Sequence, residues 1–144
     1  MRLEKRILVV DDDDAIRALL RTVLRRRGFV VDTARNGVEA LEQIGASRYA
    51  LVILDLMMPR MSGYELVEQL EALSVMTRPR VLILTAAGMI DGRGLDTTLV
   101  VGAMHKPFDI ELLIDTVTGC LAAAEPIAPA AAAEAAVTPS SQLN

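Results

Sequence analysis

Aromatic residues are almost missing: the 144-residue chain has no tryptophan, two tyrosines and two phenylalanines. Single-stranded nucleic acids bind by stacking bases on aromatic side chains, so that mode lacks its building blocks. A net charge of −4 also argues against a phosphate-backbone partner. One cysteine, Cys120, excludes an internal disulfide and any cysteine-based zinc site. No apolar run approaches the roughly 18 residues that cross a bilayer. Met1 to Arg6 leads into an apolar stretch too short for a signal peptide's core. The expectation is a cytoplasmic protein with neither membrane insertion nor a nucleic-acid partner. What the chain does have is apolar mass, 52% of its residues, enough for one domain with a sizeable core.

That mass comes in short runs that end in polar groups. Ile7 to Val10 ends in the acidic cluster Asp11 to Asp14, Leu51 to Leu54 in Asp55, and Val81 to Leu84 in Thr85. A weaker run precedes Lys106-Pro107. Between these candidate strands the period changes. Ile16, Leu19, Leu20, Val23 and Leu24 mark one face of a helix, with Asp14 placed as its N-cap, Arg25 to Arg27 in its last turn and Gly28 as its stop. Phe29 to Ala34 reads as a second strand, Asn36-Gly37 as a turn, and Val38, Leu41 and Ile44 as a second helix. Pro59 and Gly63 bracket a loop, and Leu66, Val67, Leu70 and Leu73 mark a third helix. From Ala86 to Gly102 glycines and β-branched residues weaken any helix, so a short or irregular fourth one is expected there. Asp109 can cap a final helix carrying Ile110, Leu113, Ile114, Val117 and Leu121. Alternation of this kind predicts a parallel sheet covered by helices over residues 1–123. Residues 124–144, rich in alanine and proline, read as a disordered tail or a linker stub.

In such a sheet the carboxyl ends of the strands line one crevice, where ligands bind. Asp11, Asp12, Asp55, Thr85 and Lys106 would therefore converge. Hard cations such as Mg²⁺ take oxygen ligands, and one or two carboxylates plus a phosphoryl oxygen suffice. Asp55 can be both a ligand and a nucleophile toward a phosphoryl donor. Thr85 can hydrogen-bond a phosphoryl oxygen and Lys106 can neutralise another, which suits a transfer catalysed by positioning and charge. Duller roles fit the neighbours: Asp13 and Asp14 as helix or turn formers, His105 as a structural residue, Met57, Met58 and Met61 as loop packing. A calcium-binding EF-hand loop from Asp11 fails, because Ile16 stands where glycine is needed.

Four motifs in order resemble the receiver domain of bacterial two-component response regulators: Ile7-Leu8-Val9-Val10-Asp11-Asp12; Val52-Ile53-Leu54-Asp55-Leu56-Met57-Met58-Pro59 with Met61-Ser62-Gly63; Leu82-Ile83-Leu84-Thr85-Ala86; and His105-Lys106-Pro107-Phe108. The resemblance covers about residues 4 to 123. It implies an α/β, flavodoxin-like, doubly wound sheet of five parallel strands in the order 2-1-3-4-5, with five helices, the fourth short or irregular. It further implies phosphorylation of Asp55 by a sensor histidine kinase or histidine phosphotransfer protein, with Mg²⁺ held by Asp11, Asp12, Asp55 and the Met57 backbone carbonyl. By the same resemblance Thr85 is the switch hydroxyl, and the Lys106–Pro107 bond is usually cis. Met57 and Ala87, two residues after the phosphorylated aspartate and the threonine, occupy positions that govern dephosphorylation. The pattern departs from the family at Ala103, where an aromatic residue is common.

The chain is thus expected to be a phosphoacceptor rather than an enzyme, signalling through changed contacts with a downstream protein target. A stand-alone regulator is expected over a receiver severed from a C-terminal effector domain. Two other classes compete: a haloacid-dehalogenase-type phosphohydrolase using Asp11-x-Asp13, and a receiver-like module that signals without phosphate. The first leaves Asp55 unexplained.

Overall fold

Unbroken apolar runs become central strands because both of their faces are covered. A computed structural model describes residues 6–74, 78–86 and 98–124. Its elements are β1 (Arg6–Val10), α1 (Asp14–Arg26), β2 (Val30–Ala34), α2 (Gly37–Ala46), β3 (Leu51–Leu54), α3 (Gly63–Glu71), β4 (Arg80–Ala86), β5 (Val100–Lys106) and α4 (Ile110–Ala124). The five strands form one parallel sheet in the order β2-β1-β3-β4-β5. Residues alternate between the two faces, giving two cores. Ile7, Val9, Leu51, Ile53, Leu82 and Leu84 pack against Leu20 and Leu24 of α1 and Leu113, Val117 and Leu121 of α4. Leu8, Val10, Val52, Leu54, Val81 and Ile83 pack against Ala40 of α2 and Leu66, Val67 and Leu70 of α3. The expected doubly wound architecture is present.

Several local expectations need correction. The N-cap of α1 is Asp13, not Asp14: Asp13 has the extended backbone of a cap, and its side chain accepts from the N–H groups of Ala15 and Ile16. Asp14 is already helical, and its carboxylate pairs with Arg17. Leu19 and Val38 are 42% and 41% exposed, because Leu20, Leu24 and Ala40 take the positions against the sheet. Leu73 falls beyond the end of α3 and is also exposed. β2 starts at Val30 rather than Phe29, after Gly28 turns the chain with a φ of 92°. Asn36 does more than turn the chain: it caps α2 through Glu39 N–H at 2.9 Å. Asp109 caps α4 as expected, accepting from Leu112 N–H at 3.0 Å. Four helices rather than five occur among the described residues. The expected short helix between β4 and β5 falls mainly on residues 87–97, outside the described residues. Ala87 and residues 125–144 of the expected tail lie outside them too.

Candidate functional site

Register brings the acidic residues together. Val10 of β1 lies beside Leu54 of β3, so Asp11 and Asp55 leave the sheet side by side. Each prolongs the ladder by one bond, Asp55 N–H to the Val10 carbonyl at 3.0 Å and Asp11 N–H to the Ala34 carbonyl at 3.2 Å. β4 carries Thr85 into the same crevice, and Lys106 ends β5 beside Ala86. The five residues singled out in the sequence therefore meet at one edge of the sheet.

The contacts within the crevice are short. Thr85 Oγ1, fully buried, donates to Asp55 Oδ1 at 2.8 Å. The Met57 N–H reaches the same oxygen at 3.3 Å. Lys106 Nζ donates to Asp11 Oδ2 at 2.7 Å and lies 3.5 Å from Asp55 Oδ2. The other Asp11 oxygen accepts from Asp13 N–H at 2.9 Å. Asp11 and Asp55 are 2% and 6% exposed, whereas Asp12 is exposed. Burial pushes the Asp11 carboxyl above its ordinary pKa, although Lys106 and the Asp13 N–H pull it back; the nearby Asp55 charge adds to the rise. Burial works against the Lys106 ammonium, but its hydrogen bond to Asp11 and the charges of Asp11 and Asp55 outweigh that and raise its pKa.

One ammonium faces three carboxylates. Asp11, Asp12 and Asp55 each offer an oxygen within 4.8 Å of the others. Hard oxygen donors with uncompensated negative charge suit Mg²⁺, and an exposed Asp12 leaves room for the waters that ion keeps. The donor set therefore fits a divalent cation. Asp13 does not join it, because its carboxylate is spent on the first turn of α1. Ala103 and His105 are exposed on the edge strand β5, and the Lys106–Pro107 bond is cis. Met57 is 55% exposed, so its side chain is not packing the loop.

The roles of two residues escaped the sequence reading. Gly63, the first residue of α3, donates its N–H to the Leu56 carbonyl at 2.8 Å. A Cβ there would sit 2.5 Å from the Asp55 carbonyl oxygen and 2.7 Å from Leu56 Cα. The turn after Asp55 thus closes only over glycine. The sequence placed it as a loop boundary and within the Met61-Ser62-Gly63 motif, next to Ser62 of the capping box Ser62–Glu65, but gave no sign of this backbone contact. The second is Arg17, whose Nη1 donates to the Asp11 backbone carbonyl at 2.8 Å. Nothing in its spacing distinguishes it from the other arginines of α1.

Comparisons agree with this geometry. The family model of the response regulator receiver domain matches residues 7–118. The response regulator MprA of Mycobacterium ulcerans (strain Agy99) is 44% identical over 114 residues, covering 76% of this chain and 47% of that protein. The chain thus spans about half the length of the curated relatives it matches. Among solved structures, the response regulator TrrA of Thermotoga maritima, in complex with Mg²⁺ and BeF, superposes with a TM-score of 0.71 at 35% identity, covering 81% of this chain and 98% of that one. A CheY-like receiver domain protein from Methanospirillum hungatei JF-1 gives a TM-score of 0.75 at 28% identity, over 83% and 95% of the two chains.

Proposed function

The chain belongs to the response regulator receiver domain family, and from that premise we propose that Asp55 accepts a phosphoryl group in a Mg²⁺-dependent reaction. The observation that carries the assignment is the bonding of Asp55. Its Oδ1 is tethered by Thr85 and the Met57 N–H, while its Oδ2 faces Lys106 and the acidic pair. An Asp55 oxygen forms the new bond to phosphorus, and the bond from phosphorus to the donor breaks with its electron pair leaving on the donor. A phosphohistidine on a sensor histidine kinase or a phosphotransfer protein is the donor that two-component chemistry supplies. Lys106 offsets the charge that builds on the phosphoryl oxygens, and the Thr85 hydroxyl is released to donate to one of them. Asp11, Asp12, Asp55 and the Met57 carbonyl would hold Mg²⁺, which supplies the remaining positive charge when bound.

The new acyl phosphate replaces a carboxylate already hydrogen-bonded to Thr85, so moving that hydroxyl couples phosphorylation to β4. The outcome is a change of protein contacts on a phosphoacceptor, not turnover of a substrate. Residues 1–123 would suffice for this chemistry, with residues 124–144 acting as a tail or linker. A second reading, favoured by the length of the relatives, makes the recipient of the signal an attached effector domain rather than a separate protein. The dehalogenase-type reading loses its second acid, because Asp13 caps α1. Incubation with acetyl phosphate and Mg²⁺, read by intact mass, tests the proposal. One added phosphoryl group is expected, abolished in Asp55→Asn; undiminished labelling of that variant would overturn it.

A further inference from the structure

Arg17 is largely covered although its neighbours Ala18, Leu19 and Arg21 are exposed: its side chain is 13% exposed. Its guanidinium spans the β1–α1 turn. Nη1 donates to the Asp11 carbonyl at 2.8 Å and Nη2 pairs with Asp14. That carbonyl belongs to the peptide joining Asp11 to Asp12. The same turn is held from its other side, where Asp13 N–H donates to Asp11 Oδ1 at 2.9 Å and Asp13 caps the helix. Asp12 stands between these anchors. Among the described residues no hydrogen bond or ion pair holds its carboxylate, so the backbone alone aims it toward Asp11 and Asp55.

We infer that Arg17 is a positioning residue of the cation site, fixing the Asp11–Asp12 peptide so that the Asp12 carboxylate faces the other two. The inference rests on the cation-binding reading given above. Electrostatics alone predicts the opposite effect. A guanidinium beside a cation site repels the ion, so a neutral replacement should tighten binding if charge were the main influence. Positioning predicts weaker binding, because groups that orient metal ligands typically control about 10-fold or more in affinity. The two effects therefore differ in sign.

Titration calorimetry of Mg²⁺ into the full chain, with metal-free melting curves alongside, separates them. Arg17→Met should weaken Mg²⁺ by about 10-fold despite removing a positive charge. Arg17→Lys keeps the charge but cannot bridge both the Asp11 carbonyl and Asp14, so its affinity should fall between the two. Unchanged or tighter Mg²⁺ binding by a folded Arg17→Met overturns the inference. If that variant does not fold, Arg17→Lys decides: a weakened site supports positioning, and wild-type affinity overturns it. A wild-type chain that binds no Mg²⁺ would overturn the cation-binding reading itself, whereas equal binding by wild type and Arg17→Met would overturn only the role of Arg17.

Discussion

Asp12→Ala should make the protein more stable without Mg²⁺ and less stable with it. Asp11, Asp12 and Asp55 lie with oxygens within 4.8 Å of one another; among the described residues Lys106 is the cation bonded to these carboxylates, the nearby Arg17 being paired with Asp14. Two unit charges that far apart repel by about 0.9 kcal/mol in water and about 3.5 kcal/mol at an effective dielectric of about 20. Asp12 is exposed, so the lower figure is the better guide. It repels two carboxylates and attracts one ammonium, leaving a net relief of about 1 kcal/mol on its removal. For a domain of this size that raises the melting temperature by roughly 3–6 °C. Adding Mg²⁺ at about 100 times its dissociation constant stabilises the wild type by about 2.7 kcal/mol, enough to reverse the order. With no tryptophan in the chain, far-ultraviolet circular dichroism is the direct melting probe. Metal-free Asp12→Ala melting below wild type, or gaining as much from Mg²⁺, would refute the charge argument.

Other perturbations probe the surroundings of the crevice. Gly63→Ala should slow Asp55 phosphorylation and destabilise the fold by about 1–3 kcal/mol, since the new methyl meets backbone at Asp55 and Leu56; denaturant melts and phosphorylation rates check both, and wild-type values in each would show that the turn adjusts freely. Met57 offers no polar side-chain group to position water beside Asp55, so loss of the phosphoryl group should be slow and Met57→Asn should hasten it; decay after donor removal measures this, with equal rates counting against the role of that position. Burial raises the Cys120 thiol above its ordinary pKa despite the opposing charge of Arg80. Its thiolate is the reactive form, so at pH 8 labelling by a thiol reagent should be much slower in the native protein than in denaturant; equally fast labelling would contradict its buried place in α4.

The central half of the fold was legible because β1, β3 and β4 are buried on both faces, and burial demands unbroken apolar runs such as Leu51 to Leu54. The polar residues closing those runs marked the crevice for the same reason. β5 was fainter. It is an edge strand interrupted by Gly102 and Ala103, and its pairing with β4 shifts register between Val81 and Leu82. Choosing between Asp13 and Asp14 as the cap needed backbone angles, which adjacent identical residues do not reveal. The demand on Gly63 comes from a backbone contact with Asp55 and Leu56, and the value of Arg17 from one carbonyl across a turn. Neither leaves a periodic trace. Leu19 and Val38 were misplaced because an apolar residue on the flank of a helix satisfies the spacing without reaching the sheet.

Borohydride trapping locates the phosphoryl group most directly. A phosphorylated aspartate is an acyl phosphate, which borohydride reduces to homoserine while leaving free carboxylates untouched. After incubation with acetyl phosphate and Mg²⁺, peptide mapping should find homoserine at position 55 alone, and a chelator should abolish it. Homoserine at position 11 or 12, or a yield indifferent to the chelator, would contradict Asp55 as the acceptor in a cation-dependent site.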